Sequence, residues 1–71
     1  MMQNQIEVTV NDALSVYIAP ITLFDLVEQL GLPVHATAIA LNQEITPRSL
    51  WRQTHLSNGD QISLFQAIAG G

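Results

Sequence analysis

The chain has 71 residues, enough for a single small domain, and its 48% hydrophobic content supplies one core. Its formal charge is −4, and since its only lysine or arginine residues are Arg48 and Arg52, it cannot form the basic stripe that nucleic-acid binding requires. The lack of cysteine excludes disulfides and thiolate metal sites, and an N-terminal stretch without positive charge or a long apolar run predicts a cytoplasmic protein with no signal peptide or membrane span.

The first 18 residues predict a β-hairpin. Apolar residues alternate with other residues over positions 6–10 and again over 14–18, which is the period of a strand. Asn11 and Asp12 lie between the two strands, and both residue types tolerate the positive φ of a tight turn. In the second strand, we expect Tyr17 on the outer face of the sheet.

A helix is predicted over residues 22–30. Thr22 is a good N-cap, and Asp25 can complete a capping box with it. Gly31 suits the left-handed position that follows a helix. One apolar stripe, which should pack on the sheet, consists of Leu23, Leu26, Val27 and Leu30.

The second half predicts two short strands, over 38–42 and 44–45, and then a helical turn that begins at Pro47. Trp51 is expected to cap one end of the core, and Leu56 to plug it. A hairpin, one helix and later strands predict an α+β fold, the ubiquitin-like β-grasp. In that fold a mixed sheet packs on one main helix, and the last strand lies beside the first.

The last strand starts near Asp60 and alternates, with Ile62 and Leu64 on one face and Phe65 on the other. This alternation predicts that Phe65 is exposed on the open face of the sheet. An exposed aromatic side chain on a small acidic protein is a candidate anchor for a partner.

The sequence ends in Gly70-Gly71, which is open to two interpretations. Terminal glycines can be a frayed tail without function. They can also be a substrate, because an α-carboxylate is ionised at neutral pH and glycine enters a slot too narrow for other residues. We expect one domain over residues 1–71, with a flexible tail from about residue 67.

Nothing in the sequence predicts an active site. His35 and His55 fall in predicted loops without carboxylates at metal-ligand spacing, so we expect them to be solvated. The serines lack a nucleophile-elbow setting, and the glycines do not form a phosphate-binding loop. We therefore expect a protein that is acted upon, with no bound cofactor or metal.

Several stretches resemble the small sulfur-carrier protein family of thiamine biosynthesis. They are Asn42-Gln43-Glu44-Ile45-Thr46-Pro47-Arg48, Trp51, Asn58-Gly59-Asp60-Gln61-Ile62 and Phe65-Gln66-Ala67-Ile68-Ala69-Gly70-Gly71, together with the helix over 22–30. The Pro-Arg-x-x-Trp stretch combined with the Gly-Gly end is the most specific part. Asp25 stands where the family has Glu, a minor departure.

The resemblance implies a mechanism. A partner adenylyltransferase, similar to a ubiquitin-activating enzyme, uses ATP to adenylate the carboxylate of Gly71. Sulfur from a cysteine desulfurase persulfide then gives a thiocarboxylate, which donates that sulfur to thiazole synthase. Phe65, Ile68, Ala69 and Gly70 would contact these partners.

Two other functions remain open at this stage. The small subunit of molybdopterin synthase shares the fold and the tail chemistry, although its middle region is usually longer than the compact stretch 42–51. A ubiquitin-like modifier conjugated to lysines is the more distant alternative.

Overall fold

The computed structural model describes residues 4–66. Each element predicted from the sequence is confirmed, with small shifts of its ends. The described residues form five strands, one α-helix and two 3₁₀ segments: β1 Asn4–Val10, β2 Ala13–Ala19, α1 Leu23–Gln29, a 3₁₀ turn Val34–Ala36, β3 Thr37–Leu41, β4 Glu44–Thr46, a 3₁₀ helix Arg48–Gln53 and β5 Gln61–Gln66.

The five strands form one sheet in the order β2-β1-β5-β3-β4, so the last strand lies at its centre. β5 runs parallel to β1 and antiparallel to β3, and the two hairpin pairs are antiparallel. The predicted neighbourhood of the first and last strands is confirmed. With α1 contributing buried side chains to the core on one face of this mixed sheet, the arrangement is the predicted β-grasp.

Two turn asparagines hold β5 from opposite sides. Asn11 donates its backbone N–H to Ile62 O at 2.9 Å, and its Oδ1 accepts the Leu64 N–H at 2.8 Å. Asn42 donates its backbone N–H to Gln61 O at 2.7 Å, and its Oδ1 accepts the Gln61 N–H at 2.9 Å. Both residues have positive φ, 51° and 52° respectively. The turns therefore fix the central strand as well as reversing the chain.

The expected outward position of Tyr17 is wrong. The turn at Asn11 and Asp12 pairs Ile6 with Tyr17 across the hairpin, and directly paired residues share one face of a sheet. Since Ile6 is buried, Tyr17 also points inward and packs against the core. The three apolar residues that alternate with it point outward and are exposed: Leu14, Val16 and Ile18. The register set by the turn thus decides which face is buried.

The capping box predicted for α1 is confirmed. Thr22 Oγ1 accepts the Asp25 N–H at 3.1 Å, and Asp25 Oδ2 accepts the Thr22 N–H at 3.0 Å. The bond from the Thr22 backbone lowers the pKa of the Asp25 carboxyl below its usual value. Gly31 follows the helix with φ of 69° as expected. Leu30 departs from the predicted stripe, because it is the C-cap residue and is 42% exposed.

Trp51 and Leu56 close the core as predicted. The Trp51 side chain is 1% exposed, and its Nε1–H donates to Thr46 O at 3.0 Å, so its one polar group is satisfied. Leu56 is also buried. Its backbone N–H donates to Ile21 O, which ties the segment before β5 to the segment that leads into α1.

Candidate functional site

The end of β5 is the region to which the sequence assigns a function. Phe65 lies opposite Ala38, and Gln66 lies opposite Thr37, so β3 supports the strand to its last described residue. The Phe65 side chain is 54% exposed, which confirms the prediction that it is on the open face. At this end of β5 the pairing is with β3 alone, because β1 pairs with β5 only at Gln61 and Ile62.

Phe65 belongs to a small apolar surface on the outer face. Its cross-strand partner is Ala38, and the same face of β3 carries Ala40, which pairs with Ile45 of β4. Ile45 is 69% exposed. We call these four residues the Phe65 patch. Ala38 is exposed but Ala40 is only 7% exposed, so the accessible part of the patch is formed by Phe65, Ala38 and Ile45. An exposed aromatic side chain in such a patch is a candidate anchor for a partner.

Two shallow depressions flank the end of β5. One has a volume of about 260 Å³ and is lined by residues of β3 and β5 together with His35 and Arg48. The other, of about 380 Å³, is lined by Val10, Asn11, Leu30, Leu32, Leu64 and Gln66. Gln66 is common to both depressions. The first has a cationic wall and the second is largely apolar, so the two sides of the strand end differ in character.

Arg48 builds the cationic wall. Its Nε donates to Val34 O at 3.0 Å, and a terminal nitrogen donates to His35 O at 3.1 Å. Arg48 also contacts the ring of Trp51, with 5.7 Å from Cζ to the ring centroid. Sequence reasoning did not place this side chain beside Phe65. The Pro-Arg-x-x-Trp stretch draws attention to Arg48 in the sequence. It does not predict this position, because the carbonyls to which Arg48 donates lie more than ten residues earlier.

Arg52 lies on the same side of the 3₁₀ helix as Arg48, because both side chains line one depression. Its Cζ lies 3.8 Å from the ring centroid of Phe24, a cation–π contact. With His35 and Val34, these residues line a further depression of about 340 Å³. Both arginines of an otherwise acidic chain therefore meet on one surface next to the Phe65 patch.

The histidines do not form a reactive cluster in the part of the chain that the structure describes. His35 and His55 are both exposed, as predicted, and the backbone of His55 forms an isolated bridge with that of Thr22. Over residues 4–66, no group of three or more His, Asp or Glu side chains is placed to hold a metal ion. No helix among the same residues is long and apolar enough to cross a membrane.

Four of the predicted site residues lie outside the described residues: Ile68, Ala69, Gly70 and Gly71. The predicted flexible tail from about residue 67 lies outside them as well. Of the candidate site, the structure therefore places Phe65 and the strand end that precedes the tail.

Comparison with known proteins gives the family. A sequence model of the ThiS family matches residues 3–71. The sulfur carrier protein ThiS of Escherichia coli (strain K12) is 50% identical over 50 residues, which cover 70% of this chain and 76% of that protein. The crystal structure of a thiamine biosynthesis protein (ThiS) from Geobacter metallireducens superimposes with a TM-score of 0.80 over 93% of this chain and 100% of that one. At 22% identity this last likeness supports the fold alone. From the family match and the E. coli relative together, we conclude that the chain belongs to the ThiS family.

Proposed function

We propose that this protein is a sulfur carrier of thiamine biosynthesis, and that the carboxylate of Gly71 is the group that carries the sulfur. Its role is that of a carrier that partner enzymes act upon, not that of a catalyst. The name of the E. coli relative, a sulfur carrier protein, supports this role, as does a family match that extends to residue 71.

The chemistry fits the composition of the chain. A carboxylate oxygen of Gly71 attacks the α-phosphate of ATP on a partner adenylyltransferase, and pyrophosphate leaves. The terminal sulfur of a persulfide on a desulfurase partner then attacks the acyl carbon, and AMP leaves. The remaining S–S bond must be cleaved by a thiol, and since this chain has no cysteine, a partner supplies it. The thiocarboxylate that results donates its sulfur to thiazole synthase.

The observation that carries the proposal is the position of Phe65 and Gln66 at the end of the central strand. Five residues follow Gln66, and five extended residues span at most roughly 17–18 Å. A partner that binds the Phe65 patch can therefore receive the carboxylate in a pocket up to that distance away. β3 holds the strand as far as Gln66, and glycines at the end of the chain would allow a narrow entrance.

The family match favours thiamine biosynthesis over the alternatives drawn from the sequence. The small subunit of molybdopterin synthase and the lysine-conjugated modifiers share the fold and the Gly-Gly end, so neither feature separates the three functions. The ThiS family model, however, matches the chain over residues 3–71.

Phe65→Ala should weaken binding to the adenylyltransferase or to thiazole synthase at least tenfold, about 1.4 kcal/mol. The reason is that the variant removes an exposed aromatic anchor. Its free energy of unfolding should change by less, because Phe65 is 54% exposed in the isolated chain. Titration calorimetry with each partner, alongside denaturant unfolding of the carrier, measures both quantities.

Leu14→Ala is the matched control for Phe65→Ala. Leu14 is 67% exposed on the same outer face of the sheet, but it lies on β2 and not in the Phe65 patch. The Leu14→Ala variant should bind both partners as the wild type does. If Phe65→Ala loses stability but keeps its affinity, or if both variants lose affinity equally, the docking role of the Phe65 patch is refuted.

A further inference from the structure

The outer edge of the sheet at β2 is a second surface, distinct from the Phe65 patch. β2 is the end strand of the sheet, and within the described residues only β1 pairs with it. Three of its residues have exposed side chains on the outer face, at 67%, 53% and 44%: Leu14, Val16 and Ile18. We call these three the β2 row. On the outer face, the polar residues of β1 separate it from the Phe65 patch.

The hydrogen bonds of β1 show where the backbone groups of the β2 row point. Thr9 donates its N–H to Asp60 O at 3.0 Å, so its backbone faces away from β2. Thr9 pairs with Leu14, and in an antiparallel ladder both members of a pair bond to each other or both face away. Leu14 therefore directs its N–H and C=O to the free edge. By the two-residue alternation, Val16 and Ile18 do the same.

This edge also lacks the features that normally prevent strand pairing. Exposed edge strands are usually protected by charged residues, by proline or by a bulge. Residues 13–19 contain no charge and no proline, and all seven pair with β1 in continuous register. A seven-residue strand with free backbone groups and exposed apolar side chains favours pairing with another strand.

The sequence of β2 is complementary to itself about Val16. A two-fold axis at Val16 places Val16 opposite Val16 of a second copy, and Leu14 opposite Ile18 of that copy. In the same register, Ser15 lies opposite Tyr17, a small residue against a large one. In this register, each residue of the β2 row donates its backbone N–H to a carbonyl of the other copy. Three such hydrogen bonds from each strand give six across the axis. No like charges meet across the axis, because the strand is uncharged.

We propose that β2 pairs antiparallel with β2 of a second copy of this chain, about a two-fold axis at Val16, to form a continuous ten-stranded sheet. The number of strands is twice the five of one sheet. Pairing of two short edges buries less than the roughly 1,200 Å² of a standard stable interface. The dimer is therefore weak, and the fraction of the protein that is dimeric rises with protein concentration. It leaves the Phe65 patch and the end of β5 open on both copies.

Sedimentation equilibrium over a concentration series up to about 1 mM tests the proposal. The wild type should show a dimer at the upper end of the series. Val16→Glu and Val16→Lys should each weaken the dimer at least tenfold, because the two-fold axis places like charges face to face. An equimolar mixture of the two variants should recover a dimer, since opposite charges then meet at the axis. Thermal unfolding monitors the fold of each variant.

Two further variants separate the proposed pairing from other contacts. Val16→Thr keeps a neutral strand-forming residue and should dimerise within about tenfold of the wild type. Ile45→Glu places a charge on the opposite edge strand and should leave the dimer unchanged. A wild type that stays monomeric throughout the series would overturn the proposal. So would a mixture of the two Val16 variants that stays monomeric, or a dimer that Ile45→Glu abolishes. These readouts do not involve sulfur transfer, so they are independent of the proposed function.

Discussion

Deletion of Gly71 and substitution of Gly70 by valine should each abolish ATP–pyrophosphate exchange with the partner adenylyltransferase. The deletion leaves a carboxylate on Gly70 that is one residue, roughly 3.3–3.6 Å, short of the ATP. Gly70→Val keeps the reach but adds a branched side chain to a chain that must enter a narrow slot. Loss of alignment by a few ångströms is enough to remove most of the rate.

Both tail variants should unfold at the same temperature as the wild type, because the core is made by residues 6–62. They should also bind the adenylyltransferase through the Phe65 patch as the wild type does. Exchange is then lost because the carboxylate is misplaced and not because binding fails. Exchange at the wild-type rate after deletion of Gly71 would refute the requirement for this Gly-Gly reach.

Trp51→Ala should destabilise the fold by roughly 3–5 kcal/mol, the usual cost of truncating a buried tryptophan. The side chain is 1% exposed and ranks among the largest fully buried ones. A domain of this size has only about 3–5 kcal/mol to lose, so we expect the variant to be largely unfolded at ambient temperature. Circular dichroism during thermal and denaturant unfolding measures the effect.

Trp51→Phe is the informative companion. It keeps most of the buried volume but removes the Nε1–H that donates to Thr46 O. It should therefore fold and lose about 1–3 kcal/mol, from the carbonyl left without its partner and the smaller ring. An alanine variant with an unchanged melting temperature but no affinity for the partner enzymes would show that Trp51 is a contact residue and not a structural one.

Local signals predicted the helix and the turns correctly because the bonds that define them are local. Thr22 and Asp25 are three residues apart, so their capping box is visible in the sequence. Asn11 and Asp12 were recognised as turn residues from their tolerance of positive φ, which the structure confirms. The second role of Asn11, holding β5, was not visible, because Asn11 and Leu64 are 53 residues apart.

The buried face of β2 could not be predicted from its own pattern. Tyr17 and the β2 row are both apolar, so alternation divides the strand into two faces without saying which is inside. The register of the turn settles it by pairing Tyr17 with buried Ile6. In β5 the pattern was less ambiguous, because Ile62 and Leu64 share one face whereas Ser63 accompanies Phe65 on the other. Alternation was therefore sufficient, and the structure has Ile62 buried and Phe65 exposed.

The neighbours of Phe65 depended on tertiary structure. Arg48 reaches the depression beside it by donating to the carbonyls of Val34 and His35, which lie 14 and 13 residues earlier. No period or local motif predicts such contacts. The exposure of Phe65 was therefore predictable from strand period alone, whereas the cationic wall next to it was not.

The intact mass of the protein, isolated under non-reducing conditions from sulfur-replete cells that contain the adenylyltransferase, tests the central proposal most directly. We predict a fraction in which one oxygen is replaced by sulfur, located by fragmentation at Gly71. Because the chain has no cysteine, a thiol-directed alkylating reagent should label that fraction, and Gly70→Val isolated in parallel should lack it. A wild-type chain that carries only oxygen at Gly71 under these conditions, or that carries its extra sulfur elsewhere, would contradict the assignment of Gly71 as the sulfur-carrying group.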